Sequence, residues 1–124
     1  MFEVSVEARF TATHQVRMPD GQLEPLHEHV WVVRATYAGA ELDADGLLVD
    51  FAAVRARLAE VLRPLHGQNL NRVAVLADQP PSAEVVARYI ARHLPASLDE
   101  RARLRGVEVE EEPGCRARYV PPAD

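Results

Sequence analysis

The sequence predicts one α+β domain, residues 1–124, in which four strands form an antiparallel sheet and two helices cover one of its faces. Three observations carry this expectation. Two long segments near the start are patterned as strands, two central segments repeat at helical spacing, and Pro113-Gly114 joins two further strand-like runs. The order is ββααββ. Strands grouped at both ends around a helix pair close as an antiparallel sheet with its helices on one side.

The first strand is residues 2–14. Phe2, Val4, Val6, Ala8, Phe10, Ala12 and His14 share one face, and Glu3, Ser5, Glu7, Arg9, Thr11 and Thr13 share the other. Strict alternation of this kind is the mark of a half-buried strand. Pro19-Asp20-Gly21 and Pro25 supply turn chemistry for residues 15–26. The second strand is 27–39, and its run Val30 to Val33 is apolar on both faces, which predicts that both are covered. Asp50 is placed to cap a helix whose apolar stripe is Phe51, Val54, Leu58, Val61, Leu62 and Leu65, with Pro64 and Gly67 ending it near residue 65. A long connection, 66–81, contains an apolar turn at Val73 to Leu76. Ser82 follows Pro80-Pro81 as the cap of a second helix with the stripe Val85, Val86, Tyr89, Ile90 and Leu94, and Pro95 closes it. Residues 105–112 and 115–120 form the last hairpin.

Composition narrows the function. An apolar fraction of 48% and a charged fraction of 27% are those of a globular domain. A net charge of −5 argues against nucleic acid as a partner, since no cationic field is present to neutralise phosphates. No apolar run approaches the ~18 residues of a membrane span, and Met1-Phe2-Glu3-Val4 lacks the basic and apolar regions of a secretory signal. The lone Cys115 excludes an internal disulfide. A cytoplasmic protein without a membrane partner is the expectation.

The most informative residues are His27 and His29. Side chains at i and i+2 of a strand point the same way, roughly 7 Å apart at about 3.3 Å rise per residue. His14 closes the apolar face of the first strand. Three neutral imidazole nitrogens suit zinc, and three protein ligands leave a fourth position open for water or substrate, as in catalytic sites. His93 reads as a surface residue. His66, at a helix end, fits either capping or catalysis. The acidic run near the last hairpin divides by parity: Glu108, Glu110 and Glu112 share the outer face, while Glu111 follows Val107 and Val109 inward. A buried carboxylate needs a donor, either an Arg or a bidentate ligand group such as an aminopyrimidine.

Taken in order, the motifs resemble those of the 6-pyruvoyl-tetrahydropterin synthase and 6-carboxy-tetrahydropterin synthase family. Phe10-Thr11-Ala12-Thr13-His14 matches the family's Phe-x-Ala-x-His, and His27-Glu28-His29 its His-Gly-His. Gly46-Leu47-Leu48-Val49-Asp50-Phe51 is close to Gly-x-Val-x-Asp-Phe, and Pro81-Ser82-Ala83-Glu84 to Pro-Thr-x-Glu. Glu111 and Tyr119 match a final-hairpin Glu eight residues before a Tyr. The resemblance implies a T-fold and a homo-oligomer, commonly a hexamer built as a dimer of trimers, with sites between subunits. It implies zinc (Zn2+) on His14, His27 and His29, Glu111 anchoring the amino-pyrimidine edge of a dihydropterin, and Ser82 and Glu84 at the substrate. The implied activity is a carbon-oxygen lyase acting on 7,8-dihydroneopterin triphosphate.

The chain departs from the pattern at the base. The usual Cys, four residues before the first His of His-x-His, is Leu23, so Glu24 or His66 is the candidate proton carrier. The family's Leu-Asp-His-x-x-Leu-Asn reads Leu65-His66-Gly67-Gln68-Asn69-Leu70-Asn71; His66 takes either the Asp slot or, with one inserted residue, the His slot. Either way the Asp-His pair is broken. These changes leave two other readings open: retro-aldol cleavage of the side chain, or a pterin- or purine-binding protein without chemistry.

Overall fold

The computed structural model describes residues 1–123. Strands β1 (Phe2–His14) and β2 (His27–Gly39) come first. Helix α1 (Phe51–Leu62), a single 3-10 turn at Ala74–Leu76 and helix α2 (Ala83–His93) follow, and β3 (Ser97–Leu98), β4 (Ala102–Glu112) and β5 (Cys115–Tyr119) complete the chain. All pairings are antiparallel: β1 with β2, β2 with β4, and β3 and β5 with opposite ends of β4. The architecture is the expected α+β one with two helices, but the sheet has five strands rather than four.

The additional strand is two residues long, and its turn explains why the sequence hides it. Asp99 and Glu100 both adopt positive φ, 50° and 63°. The loop is residues 99–101, and hairpin positions with positive φ ordinarily carry Gly or Asn, because L side chains resist the left-handed region. The first two strands have the bounds their alternation predicts. β4 begins at Ala102, three residues earlier than its pattern suggests.

One face of the sheet is buried. Val6, Phe10 and Ala12 of β1 meet Trp31, Val33, Ala35 and Tyr37 of β2 and Leu104, Val107 and Val109 of β4. Phe10 stacks on Trp31 with ring centroids 5.7 Å apart. Both helices cover this face, α1 against β1 and α2 against β4 and β5. The other face is less covered than the run Val30 to Val33 predicts: Val30 is 55% exposed.

The Asp50 carboxylate accepts the Ala52 N–H at 2.9 Å and so caps α1, as expected. The helix stops at Leu62, three residues early. Pro64 has no N–H for the ladder, and the chain continues in tight turns, with Leu65 N and His66 N both donating to the Leu62 carbonyl. Leu65 still reaches the core, whereas Phe51 is half exposed. In α2 the buried face is Ala83, Val86, Ala87, Ile90 and Ala91. The larger Val85 and Tyr89, expected on the stripe, are only half-buried. Small alanines let the helix lie close to the sheet.

Among the described residues no helix is long and apolar enough to cross a membrane. One core contact has a pH signature. The Tyr37 hydroxyl is buried and donates to the Pro95 carbonyl at 2.7 Å, and burial pushes its pKa up to about 12 against a small opposing pull from Arg57. The folded state therefore holds this proton more tightly than the unfolded chain. Its contribution to stability is whole below about pH 10 and is lost as pH climbs through about 12. Tyr37→Phe is expected to cost about 1 kcal/mol at neutral pH and to flatten the alkaline loss of stability. Urea unfolding across that range measures both, and an equally steep alkaline loss in the variant would assign it to other groups.

Candidate metal centre

The β1–β2 register sets His14 directly opposite His27 and Ala12 opposite His29. All three imidazoles therefore leave the same end of the sheet on its core-facing side. Trp31 is the floor beneath them, its ring 4.8 Å from His14 and 6.0 Å from His29, and its indole N–H donates to the Ala12 carbonyl at 3.3 Å. The neighbouring rings pack edge to face, with His14 and His27 centroids 4.7 Å apart and His27 and His29 centroids 4.5 Å apart.

Two carbonyls decide which nitrogens point inward. His14 Nδ1 lies 2.8 Å from the Pro81 carbonyl, and His27 Nδ1 lies 2.7 Å from the Pro25 carbonyl. A carbonyl oxygen can only accept, so both Nδ1 atoms carry hydrogen. In the neutral ring that leaves the Nε2 lone pair free to bind a metal, the usual arrangement around a ligating histidine. His29 Nε2 is buried and has no hydrogen-bond partner among the described residues. A buried nitrogen left so costs roughly 1–3 kcal/mol, a cost that a bound cation removes.

Glu111 completes the cluster. Parity along β4 turns it inward, and the pairing with β5 shifts between Glu110 and Glu112, a bulge that frees Glu111 from the ladder. Its Oε1 is hydrogen-bonded to His14 Nε2 at 2.9 Å and lies 3.2 Å from His29 Nε2 and 4.0 Å from His27 Nε2. One ligand atom from each of the four residues falls within 4.8 Å of every other, so the group could hold a metal ion. Its neighbours face away as parity predicts: Glu108 pairs with Arg34 at 2.8 Å and Glu110 with Arg116 at 2.9 Å. Sequence parity finds the inward turn of Glu111. It does not find the histidines as its neighbours, because that requires the β2–β4 register.

The remaining site candidates separate. Glu24 is close: its Oε1 accepts the Val16 N–H at 3.0 Å and stands 3.8 Å from His27 Nε2. Leu23, one residue earlier, is 52% exposed. His66 is not brought to the cluster within this chain. It is exposed, and its Nδ1 accepts the Thr11 N–H at 3.2 Å, three residues along β1 from His14. Ser82 Oγ accepts the Val85 N–H at 3.1 Å and caps α2, while Glu84 is exposed on the first turn. It is the carbonyl before Ser82, that of Pro81, which touches the cluster. His93 is exposed and bonds the Tyr89 carbonyl of its own helix.

Known proteins share this arrangement of elements. A family model described as 6-pyruvoyl tetrahydropterin synthase matches residues 3–122. The solved 6-pyruvoyl tetrahydropterin synthase of Caenorhabditis elegans superposes with a TM-score of 0.79 at 22% identity, covering 98% of each chain. That of Plasmodium falciparum gives 0.76 at 21% identity, over 95% of this chain and 96% of its own. A Plasmodium vivax form, with alanine replacing a glutamate described as a catalytic residue, gives 0.76 at 18% identity over the same shares, 95% and 96%. No curated protein sequence matches the chain.

The histidines differ in what they do for the metal-free fold. His14 is wholly buried and holds Pro81, whereas the His27 side chain is 31% exposed and bonds locally. His14→Ala leaves a cavity and an unpaired carbonyl and is expected to cost about 2–4 kcal/mol. His27→Ala should stay within about 1 kcal/mol of the parent. Urea unfolding with a chelator present measures both, and equal losses would refute the distinction.

Proposed function

We propose a reaction for a chain that belongs to the 6-pyruvoyl tetrahydropterin synthase family: zinc-dependent lysis of a dihydropterin, 7,8-dihydroneopterin triphosphate or a close relative. The observation that carries this reading is the convergence of three histidines, two with Nε2 freed by a carbonyl behind the ring and the third with a buried, unpartnered Nε2. Three imidazoles of this kind fit zinc and leave a further position for a reacting group. When bound, zinc supplies Lewis-acid polarisation of the substrate's side-chain oxygens.

The chain's own residues do the rest. Glu24 is the proposed base. Its carboxylate is held by the Val16 N–H on the side of His27, within reach of a substrate hydroxyl seated at the histidines. A glutamate also serves as a catalytic residue in the Plasmodium vivax relative, which supports the same role here. Glu111 is the proposed anchor for the amino-pyrimidine edge, where a carboxylate accepts two parallel N–H bonds. Trp31 and Phe10 keep the histidines on a rigid apolar floor that excludes water from below.

A carboxylate base favours side-chain cleavage as a second reading, since retro-aldol chemistry needs only the removal of a hydroxyl proton and a stabilised carbanion. The non-catalytic reading is the weaker one, because a titratable group stands beside the cluster. The proposal includes a homo-oligomer, a hexamer by family pattern, working in the cytoplasm. Open sheet edges support the assembly: among the described residues β1 as far as Phe10, and β5, pair with no strand on their outer sides.

The test is incubation of zinc-loaded protein with 7,8-dihydroneopterin triphosphate and identification of products by chromatography and mass. A 6-pyruvoyl, 6-carboxy or 6-hydroxymethyl pterin is expected, and unchanged substrate would overturn the lyase reading for it. Glu24→Gln should lower kcat by roughly 10²–10⁴-fold with zinc retained. Such a loss in His66→Ala instead would move proton transfer to a side chain delivered from another subunit.

A further inference from the structure

We propose the register in which two copies of this chain meet: β5 of one lies antiparallel beside β1 of the next, with Arg116 opposite Glu7 of the second copy. The inference rests on the homo-oligomer reading above and deepens it. The two edges are cut to length. At the far end of β1 the chain occupies its own edge, where Gly67 N donates to the Thr11 carbonyl, Thr13 N to the Gln68 carbonyl and Leu70 N to the Thr13 carbonyl. An incoming strand therefore stops at Phe10. The edge it would bring is Cys115–Tyr119, and Pro121 and Pro122 soon after have no N–H to continue it.

Hydrogen-bond parity fixes which residues face out. The loop bonds show that Thr11 and Thr13 turn their backbone groups to the open side, so Glu3, Ser5, Glu7 and Arg9 do the same. The even residues turn to β2. Carried through the pairs Ala8 with Val33, Val32 with Glu110 and Val109 with Ala117, the alternation leaves Arg116 and Arg118 facing out from β5. Side-chain parity agrees. The outward residues of both strands carry their side chains on the helix-free face, where Arg116 lies opposite Glu110 and Arg118 opposite Glu108. Every register that continues the ladder thus joins like face to like face.

Charge and burial choose among those registers. Arg116 opposite Arg9 sets like charges together, which is unfavourable. Arg116 opposite Ser5 or Glu3 leaves the half-buried Ala8 beyond the end of β5. Arg116 opposite Glu7 places Tyr119 against Val4, Ala117 against Val6 and Cys115 against Ala8. That covers the half-buried edge residues Val4, Ala8, Ala117 and Tyr119, all packed against the core. Arg34 already stands between two carboxylates, Glu7 at 3.0 Å and Glu108 at 2.8 Å. Arg116, 2.9 Å from Glu110, gains its second carboxylate from the next copy. Arg118 makes no ion pair among the described residues; its guanidinium lies over Gly106, where a Cβ would come within 2.7 Å of it. In this register it falls opposite Ser5 and diagonal to Glu3 and Glu7 of the second copy. The two edges are at opposite sides of the sheet, so the contact is head-to-tail and closes as a ring.

The lone cysteine reads the register. Cys115 and Ala8 of the second copy would form a non-hydrogen-bonded pair with Cα atoms about 4.5 Å apart, within the ~4.4–6.8 Å of a disulfide. The experiment is oxidation of Ala8→Cys and Val6→Cys with copper(II)-phenanthroline, read on non-reducing gels. Sedimentation velocity sizes each protein, and circular dichroism establishes that it is folded. Ala8→Cys is expected to give a ladder of covalent multimers ending at the ring size, while the parent and the Ala8→Cys, Cys115→Ser double variant stay as single chains. An oligomer in sedimentation without that ladder, or with a stronger ladder from Val6→Cys, overturns the register and leaves the homo-oligomer standing. A monomer in sedimentation overturns the homo-oligomer reading and the register with it. Arg116→Glu, which sets carboxylate against carboxylate, is expected to weaken association by about tenfold or more at each contact. Parent-like association in that variant refutes the ion pair between copies.

Discussion

The site depends on one constraint, the register of two strands. Side chains alternate along a strand, so pairing β1 with β2 so that His14 meets His27 places both imidazoles on the same face, and the period of two adds His29. A slip of one residue in this pair would send one strand's imidazoles to the outer face. The register is held along thirteen residue pairs from Phe2 with Gly39 to His14 with His27, and by the apolar face that Phe10, Trp31 and Val33 bury. The core and the candidate metal centre are therefore one continuous surface. Its inner part is hydrocarbon and its end is imidazole.

A polar end to an apolar core has to be satisfied from outside the sheet. The Pro81 carbonyl does this for the wholly buried His14, and it comes from the loop that leads into α2. That loop is tightly wound: Ala77 and Asp78 both take positive φ, 51° and 63°, before Pro80 and Pro81 straighten the chain into the Ser82 cap. Left-handed backbone at two successive non-glycine residues is unfavourable by roughly 1–2 kcal/mol each. The packing of α2 on β4 and β5 sustains it. Helix docking, loop shape and imidazole tautomer are thus linked, and a disturbance of α2 reaches the histidine cluster through the Pro81 carbonyl.

Much of this was legible in the sequence, and the misses have common causes. Alternation over Phe2 to His14 fixed the bounds of β1 because a half-buried strand must alternate. Parity alone puts His27 and His29 on one face, His14 on the apolar face of its own strand, and Glu111 inward. What parity cannot supply is which strand lies beside which. The meeting of Glu111 with the histidines needed the β2–β4 pairing, and the separation of His66 from them needed the path of residues 66–70 along β1. Local chemistry misled elsewhere. β3 was invisible because Asp99-Glu100 is not turn sequence. The buried face of α2 was misjudged because alanines, weak in hydrophobicity, are what a close helix–sheet contact requires.

The departures at the base form a consistent set on the proposed reading. A thiol ordinarily ionises near pH ~8.5, so it needs a partner to become a base at neutral pH, whereas a carboxyl group ionises near ~4.3 and is a base unaided. A site that uses Glu24 in place of a cysteine has no need of an Asp-His pair to activate it. The chain lacks both: Leu23 is exposed at the Cys position, and Leu65-His66-Gly67 holds no Asp-His pair. Losing one without the other would leave either an inactive thiol or an idle relay. The loss of both, with the histidines, Glu24 and Glu111 gathered at one end of the sheet, is what a change of base predicts and what simple decay of an active site does not.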